Sequence, residues 1–154
     1  MAGPPYTGYP AFSAPDDYAS NVTEHGVDVL LTANNHILDK GSAGMRRTLD
    51  ILPVPFTGSG RDGGEFESLN PLVLSCKGLR IALVNFTYGT NMAATSAWPA
   101  VNYMNRERIS AQIARARKAC RLTATYGRPS APIPNPSAKG QRSASLAAKA
   151  RLLP

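Results

Sequence analysis

The apolar positions of this chain fall into short blocks divided by glycine, proline and asparagine. "SAPDDYASNVTEHG" sets Tyr18 and Val22 four residues apart behind Ser13, Pro15 and two acids, with Gly26 as a stop. That pattern predicts a helix from about Asp16 to His25. "VDVLLTA", Val27 to Ala33, is a continuous apolar and β-branched run, as expected of a central parallel strand covered on both faces. "SAGMRRTLDIL" places Met45, Leu49 and Leu52 on one helical face with Ser42 as cap, predicting a helix from about Ala43 to Leu52 that Pro53 ends. "VPFTG" returns as a short strand, which completes a strand, helix, strand unit with a right-handed parallel crossover.

Further along, "RDGGEFESLN" reads as a polar, turn-rich loop. "PLVLSC" and "LRIALVNF" are strand blocks separated by Lys77-Gly78, a tight-turn dipeptide, and are expected to pair as a hairpin. "TYGTNMAATSAWPAVNYMN" has no periodicity and reads as a long loop. Asn105 can cap a helix from Arg106 to about Ala119, whose Ile109, Ile113 and Ala116 form an apolar stripe. The organisation up to that point is α/β, assigned to a domain over residues 1–119. Beyond it, residues 120–154 are rich in Ala, Ser, Pro and Arg without periodicity, apart from a weak helical pattern near Ser143 to Leu153. Such a segment buries too little apolar area to offset its ordering entropy, so a low-complexity basic tail is expected.

Composition sharpens the division. The 154 residues carry 17 Lys+Arg against 10 Asp+Glu, a net charge of +7. From Arg106 onward there are eleven basic residues and one acid, Glu107, for +10, against six basic and nine acidic residues before it, for −3. The basic half could contact nucleic acid or an acidic polymer by charge alone, but Tyr103 and Tyr126 are too few aromatics for a stacking platform. Specific nucleic-acid recognition is therefore not expected. No apolar run approaches the roughly 18 residues of a membrane span, and the N-terminus lacks the basic start and apolar middle of a signal peptide. Cys76 and Cys120 have neither CxxC spacing nor a nearby histidine, which argues against a zinc site and leaves two free thiols as the simpler reading.

The candidate chemistry lies in "LLTANNHILDKG". In open α/β sheets, ligands gather at the carboxyl ends of strands, and Asn34, Asn35, His36 and Asp39 follow such a strand. An asparagine oxygen can join carboxylates around a divalent metal, and histidine can ligate or act as a general acid. An isolated "NNH" is better explained by turn hydrogen bonds at a strand end, where asparagine is common. Tyr88, Thr90 and Asn91 leave the strand "LRIALVNF" at the same expected edge and are possible pocket residues. His25 sits at a predicted helix C-terminus, where an imidazolium suits the dipole, so its expected role is structural. "GSGRDGG" lacks the lysine, spacing and helix of a phosphate-binding loop.

"GVDVLLTANNHILDKGSAGMRRTLDIL", "FTGSGRD" and "NPLVLSCKGLRIALVNFTYGTN", in that order, resemble the bacterial capsule synthesis family CapA, or PGA_cap, associated with poly-gamma-glutamate capsule production. The resemblance runs from about Phe12 to Lys118, and its signature is a strand ending in A-N-N-H-x-x-D-x-G. It implies a partial sandwich similar to calcineurin-like metallophosphoesterases, with sheets flanked by helices. It also implies a metal-ligand role for Asn35, a catalytic proton-donor role for His36, and a loop- or imidazole-orienting role for Asn34 and Asp39. Asn34 stands where the enzyme motif has glycine. A divalent metal (Mn, Fe, Zn or Mg) is implied for intact relatives, and whether this chain binds any is left open.

The same resemblance implies an opening glycine-aspartate segment before Met1, and later HWG and GHHPH-like motifs after the Arg106 to Lys118 helix, neither of which is present. The expectation is an incomplete copy, inactive as it stands, with a frameshift in a GC-rich gene as the hypothesis for its tail. Intact relatives are expected to serve polymer synthesis or export machinery at or outside the membrane. A metal-dependent phosphoesterase and a basic anion-binding module are the alternatives.

Overall fold

The computed structural model describes residues 5–120 and the backbone of residues 122–128. Ten of its elements precede Cys120. α1 is Asp17–Glu24, β1 Leu30–Leu31, α2 Gly41–Ile51, β2 Phe56–Thr57, β3 Ser59–Gly60 and α3 Gly63–Leu69. β4 is Leu72–Cys76, β5 Leu79–Thr87, β6 Ala100–Val101 and α4 Arg106–Ala119, and β7 follows at Leu122–Arg128. The fold is mixed α/β, as expected, but the strands form three small sheets among the described residues.

α1 begins one residue later than its pattern predicts and turns out at Gly26, whose φ of +86° suits glycine. Its buried residue is Ala19, while Tyr18 is exposed, so the helix packs on a small side chain rather than on the expected stripe. Only Leu30–Leu31 of the expected Val27 to Ala33 strand forms a ladder. It pairs parallel with β2, Leu30 opposite Phe56 and Leu31 opposite Thr57, so the predicted parallel unit is present. β1 is not flanked by strands on both sides among the described residues. On its other side the Asn85 side chain replaces a ladder: its Oδ1 accepts from Ala33 N–H at 2.7 Å and its Nδ2 donates to Ala33 O at 3.4 Å.

α2 starts at Gly41, earlier than predicted, and Ser42 lies inside it rather than capping it. The Ser42 hydroxyl instead accepts from the Thr95 amide and hydroxyl at 3.3 and 3.2 Å. Met45 and Leu49 face inward and are fully buried with Leu38, Ala33, Phe56 and Val101, and Leu52 packs against this cluster. The spacing of 45, 49 and 52 therefore marked the core face correctly.

The segment expected as a loop, "RDGGEFESLN", forms α3. Asp62 caps it by accepting from Glu65 N–H at 2.9 Å, and Phe66 is buried beneath it. β4 and β5 form the expected antiparallel hairpin, closed by Lys77 at φ 49° and Gly78 at φ 78°, a turn with two left-handed residues. The long loop contributes only β6, which pairs antiparallel with β3. α4 has the predicted bounds, and Asn105 Oδ1 accepts from Arg108 N–H at 2.8 Å. Its Ala116 is buried against Ala82 and Val84, with Ile113 packed beside them.

β7 falls within the segment expected to lack regular structure. It runs parallel to β5, with Ile81 opposite Leu122 and Thr87 opposite Arg128, and its Leu122, Ala124 and Tyr126 alternate with threonines, a short strand pattern inside the tail. The weak helix expected near Ser143 to Leu153 lies outside the described residues. Cys76 and Cys120 are both free thiols. No helix among the described residues is long and apolar enough to cross a membrane.

Three buried asparagines join these small sheets. Asn70 Oδ1 accepts from Gly58 N–H at 2.8 Å, and its amide donates to Ser59 O and Phe66 O. Asn85 holds Ala33 as described, and Asn102 donates to Asn85 O at 2.8 Å and pairs with Gln112 of α4. All three are fully buried, where an unpaired amide would be costly, and each has its polar atoms engaged.

Candidate functional site

The loop between β1 and α2 is built by its own polar side chains. Asn34 Oδ1 accepts from His36 N–H at 2.8 Å while its amide nitrogen donates to Thr32 O at 3.2 Å. This is the local bonding by which asparagine replaces a backbone turn. Asp39 N–H donates to His36 O, and Gly41 N–H to Leu38 O, so the chain coils tightly before entering α2. Gly41 adopts φ +65°, which any other residue would strain, and a side chain at Gly44 would strike Lys40. Leu38, pointing inward with no exposure, anchors the loop to the core.

On this frame His36 Nδ1 lies 2.8 Å from Asp39 Oδ2. The Asp39 side chain is 2% exposed and that of His36 31%, so a buried carboxylate carries a half-buried imidazole. Asp39 Oδ2 also accepts from the Phe12 backbone N–H at 2.9 Å, and the Phe12 ring meets His36 edge-on at 4.8 Å between centroids. A carboxylate only accepts, so this contact requires the proton on Nδ1 and leaves Nε2 as the other, reactive nitrogen.

Asn35 is buried, its carbonyl accepting from Asn91 N–H at 2.7 Å and its side-chain amide donating to Asn91 Oδ1 at 3.2 Å. Asn91 Nδ2 lies 3.1 Å from His36 Nδ1. Nδ1 cannot donate to Asp39 and accept from the Asn91 amide at once, so the two side chains compete for that nitrogen.

The structure thus brings together Asn34, Asn35, His36, Asp39 and Asn91. Thr90 does not join them: its hydroxyl contacts Tyr103 Oη at 2.9 Å and Met92 O at 2.8 Å, pinning the loop instead. Tyr88 is half exposed. His25 closes α1, its Nδ1 2.7 Å from Asn21 O, the structural position its sequence context suggested. Phe12 was missed, because nothing in a lone aromatic 24 residues before His36 signals a contact with it. A cavity of about 350 Å³ is lined by Gly78, Leu79, Arg80, Lys118, Ala119 and Cys120, none of them from this loop.

These side chains suit proton transfer and amide hydrogen bonding. Among the described residues no group of three or more His, Cys, Asp or Glu could hold a metal ion. The His36–Asp39 contact uses only Nδ1 and leaves Nε2 free, but without further carboxylates or imidazoles beside it the described residues do not supply the several ligands of a two-metal centre.

A family profile described as bacterial capsule synthesis protein, PGA_cap, matches residues 1–141. The match extends on both sides of the Phe12 to Lys118 stretch and past Cys120. No curated protein matches the chain.

Proposed function

Because the chain belongs to the bacterial capsule synthesis family PGA_cap, whose fold is metallophosphatase-like, we propose that it serves capsule polymer production by engaging an anionic polymer at the Asn35–His36 loop. The observation that supports this most is the half-exposed imidazole held 2.8 Å from an almost wholly buried carboxylate. A buried acceptor fixes which ring nitrogen carries the proton and assigns the other to a ligand. Nε2 donates to a carboxylate when the ring is an imidazolium and accepts from an amide N–H when it is neutral. Poly-gamma-glutamate offers both groups along its length. Asn35 and Asn91 add neutral amides beside the ring.

The partners implied are the polymer itself and the machinery that makes or exports it. The phosphoesterase alternative assigns Asn35 to a metal and His36 to protonation of a leaving oxygen. It requires ligands that the described residues do not bring together. The chain by itself is therefore proposed to be inactive as a hydrolase. Incubation with manganese and a generic phosphodiester checks this: no turnover above the buffer rate is expected. Manganese-stimulated turnover that His36→Ala abolishes would replace the polymer reading with the phosphoesterase one.

A further inference from the structure

Phe12 touches the loop twice, through its backbone N–H on Asp39 Oδ2 and through its ring edge-on to His36. We infer that Phe12 is a positioning residue, which holds the carboxylate and the imidazole in the mutual orientation that keeps the proton on Nδ1. This rests on the role proposed for His36 and adds the N-terminal segment to that site.

The Asp39 carboxylate gives the reason. Oδ2 accepts twice, from Phe12 N–H and from His36 Nδ1–H, whereas Oδ1 is buried with no hydrogen-bond partner among the described residues. Phe12 N–H is thus one of only two donors this buried group receives there. A carboxylate so poorly solvated is held by the donors it has, and losing one frees it to turn. The Phe12 amide therefore selects the oxygen and the plane that Asp39 presents to the ring.

The segment carrying Phe12 is delivered as a closed unit. Thr7 N–H donates to Ser13 O at 3.1 Å and Ser13 N–H to Thr7 O at 2.8 Å, so the ends of the loop between them are tied together. Ser13 is buried, which seats one end. Phe12 itself is 48% exposed, so it is not filling the core. Its contacts are with the site, and an edge-on ring beside His36 also shields one side of the imidazole from water.

The test reads the neutral tautomer of His36 from ring nitrogen-15 spectra at alkaline pH, in a His25→Gln background that leaves one histidine of the two. The parent is expected to show a pyrrole-like Nδ1 and a pyridine-like Nε2. Phe12→Pro, which removes the N–H, is expected to lose that single pattern and shift toward the Nε2–H form. Phe12→Leu keeps the N–H and is expected to retain the pattern, and Phe12→Tyr to restore both the pattern and the ring contact. An unchanged spectrum in Phe12→Pro would overturn the inference, as would a Phe12→Leu spectrum as scrambled as that of the proline variant. A parent ring already on the Nε2–H form would instead overturn the His36–Asp39 pairing, and the function proposed for it.

Discussion

Asn85 does at the end of β1 what a neighbouring strand would otherwise do: it takes up the N–H and meets the C=O of Ala33 from inside the protein. It sits there because Gly58, at φ +102°, leaves the space; a Cβ at that position would collide with Asn85 Oδ1 and lie 2.6 Å from Ala33 N. Replacing Asn85 with alanine strands a buried N–H in a region without water-accessible alternatives. The expected loss is about 1–3 kcal/mol of stability, read as a lower denaturant midpoint. A midpoint equal to the parent's would mean that Ala33 finds another partner. Gly58→Ala should be at least as damaging, since both backbone strain and the lost Asn85 contact act against it. None of this was legible in the sequence. Nothing in the pattern singled out Asn70, Asn85 or Asn102 as buried, because burial of an amide becomes favourable only when the fold supplies every partner.

At the level of elements, the helices are punctuated by side-chain caps at two places, Asp62 before α3 and Asn105 before α4. Each accepts from a backbone N–H three residues on, so alanine at either position should cost about 1 kcal/mol. Chemical denaturation of Asp62→Ala and Asn105→Ala checks this, and additive effects are expected because the caps share no partner. The Asn105 cap was readable because a clear stripe of Ile109, Ile113 and Ala116 followed it. The Asp62 cap was overlooked because Gly63 and Gly64 suggested a loop, although the Asp62-x-x-Glu65 spacing is a start signal and Phe66 and Leu69 lie three apart. The β4–β5 hairpin was legible through Lys77-Gly78, a tight-turn dipeptide between two strand blocks, and both residues adopt positive φ. β1 proved shorter than its apolar run because part of its pairing is done by a side chain, and β7 was passed over although Leu122, Ala124 and Tyr126 alternate with threonines, because the acid-free, Ala-, Ser- and Pro-rich composition around it outweighed that short pattern.

For the whole molecule, charge and chemistry are separated along the chain. The loop at Asn34 to Asp39 belongs to the slightly acidic part, while the excess of +10 begins at Arg106. Arg106, Arg108, Arg117 and Lys118 of α4 are exposed, and Arg115 pairs with Glu67. A polyanion could therefore be drawn to the basic half by charge, whereas the proposed function requires contact at the loop. The candidate loop stood out by its motif, and contact of Asp39 with His36 was one of the two alternatives its position offered, the other being the loop itself. The contribution of Asn91 was only a possibility on an expected strand end, and that of Phe12 depended on a tertiary contact that no local pattern encodes.

The two modes of binding differ in salt dependence, because exposed charges are screened over about 10 Å at 0.1 M while short hydrogen bonds to a half-buried ring are not. Titrating the isotopically labelled chain with poly-gamma-glutamate at about 50 and about 200 mM salt separates them. The expected result is a saturable movement of the His36 ring and the Asn35 and Asn91 amide resonances that persists at the higher salt, with the two amide shifts lost in His36→Ala. Shifts confined to the Arg106 to Lys118 helix, vanishing at the higher salt and unaffected by His36→Ala, would contradict it.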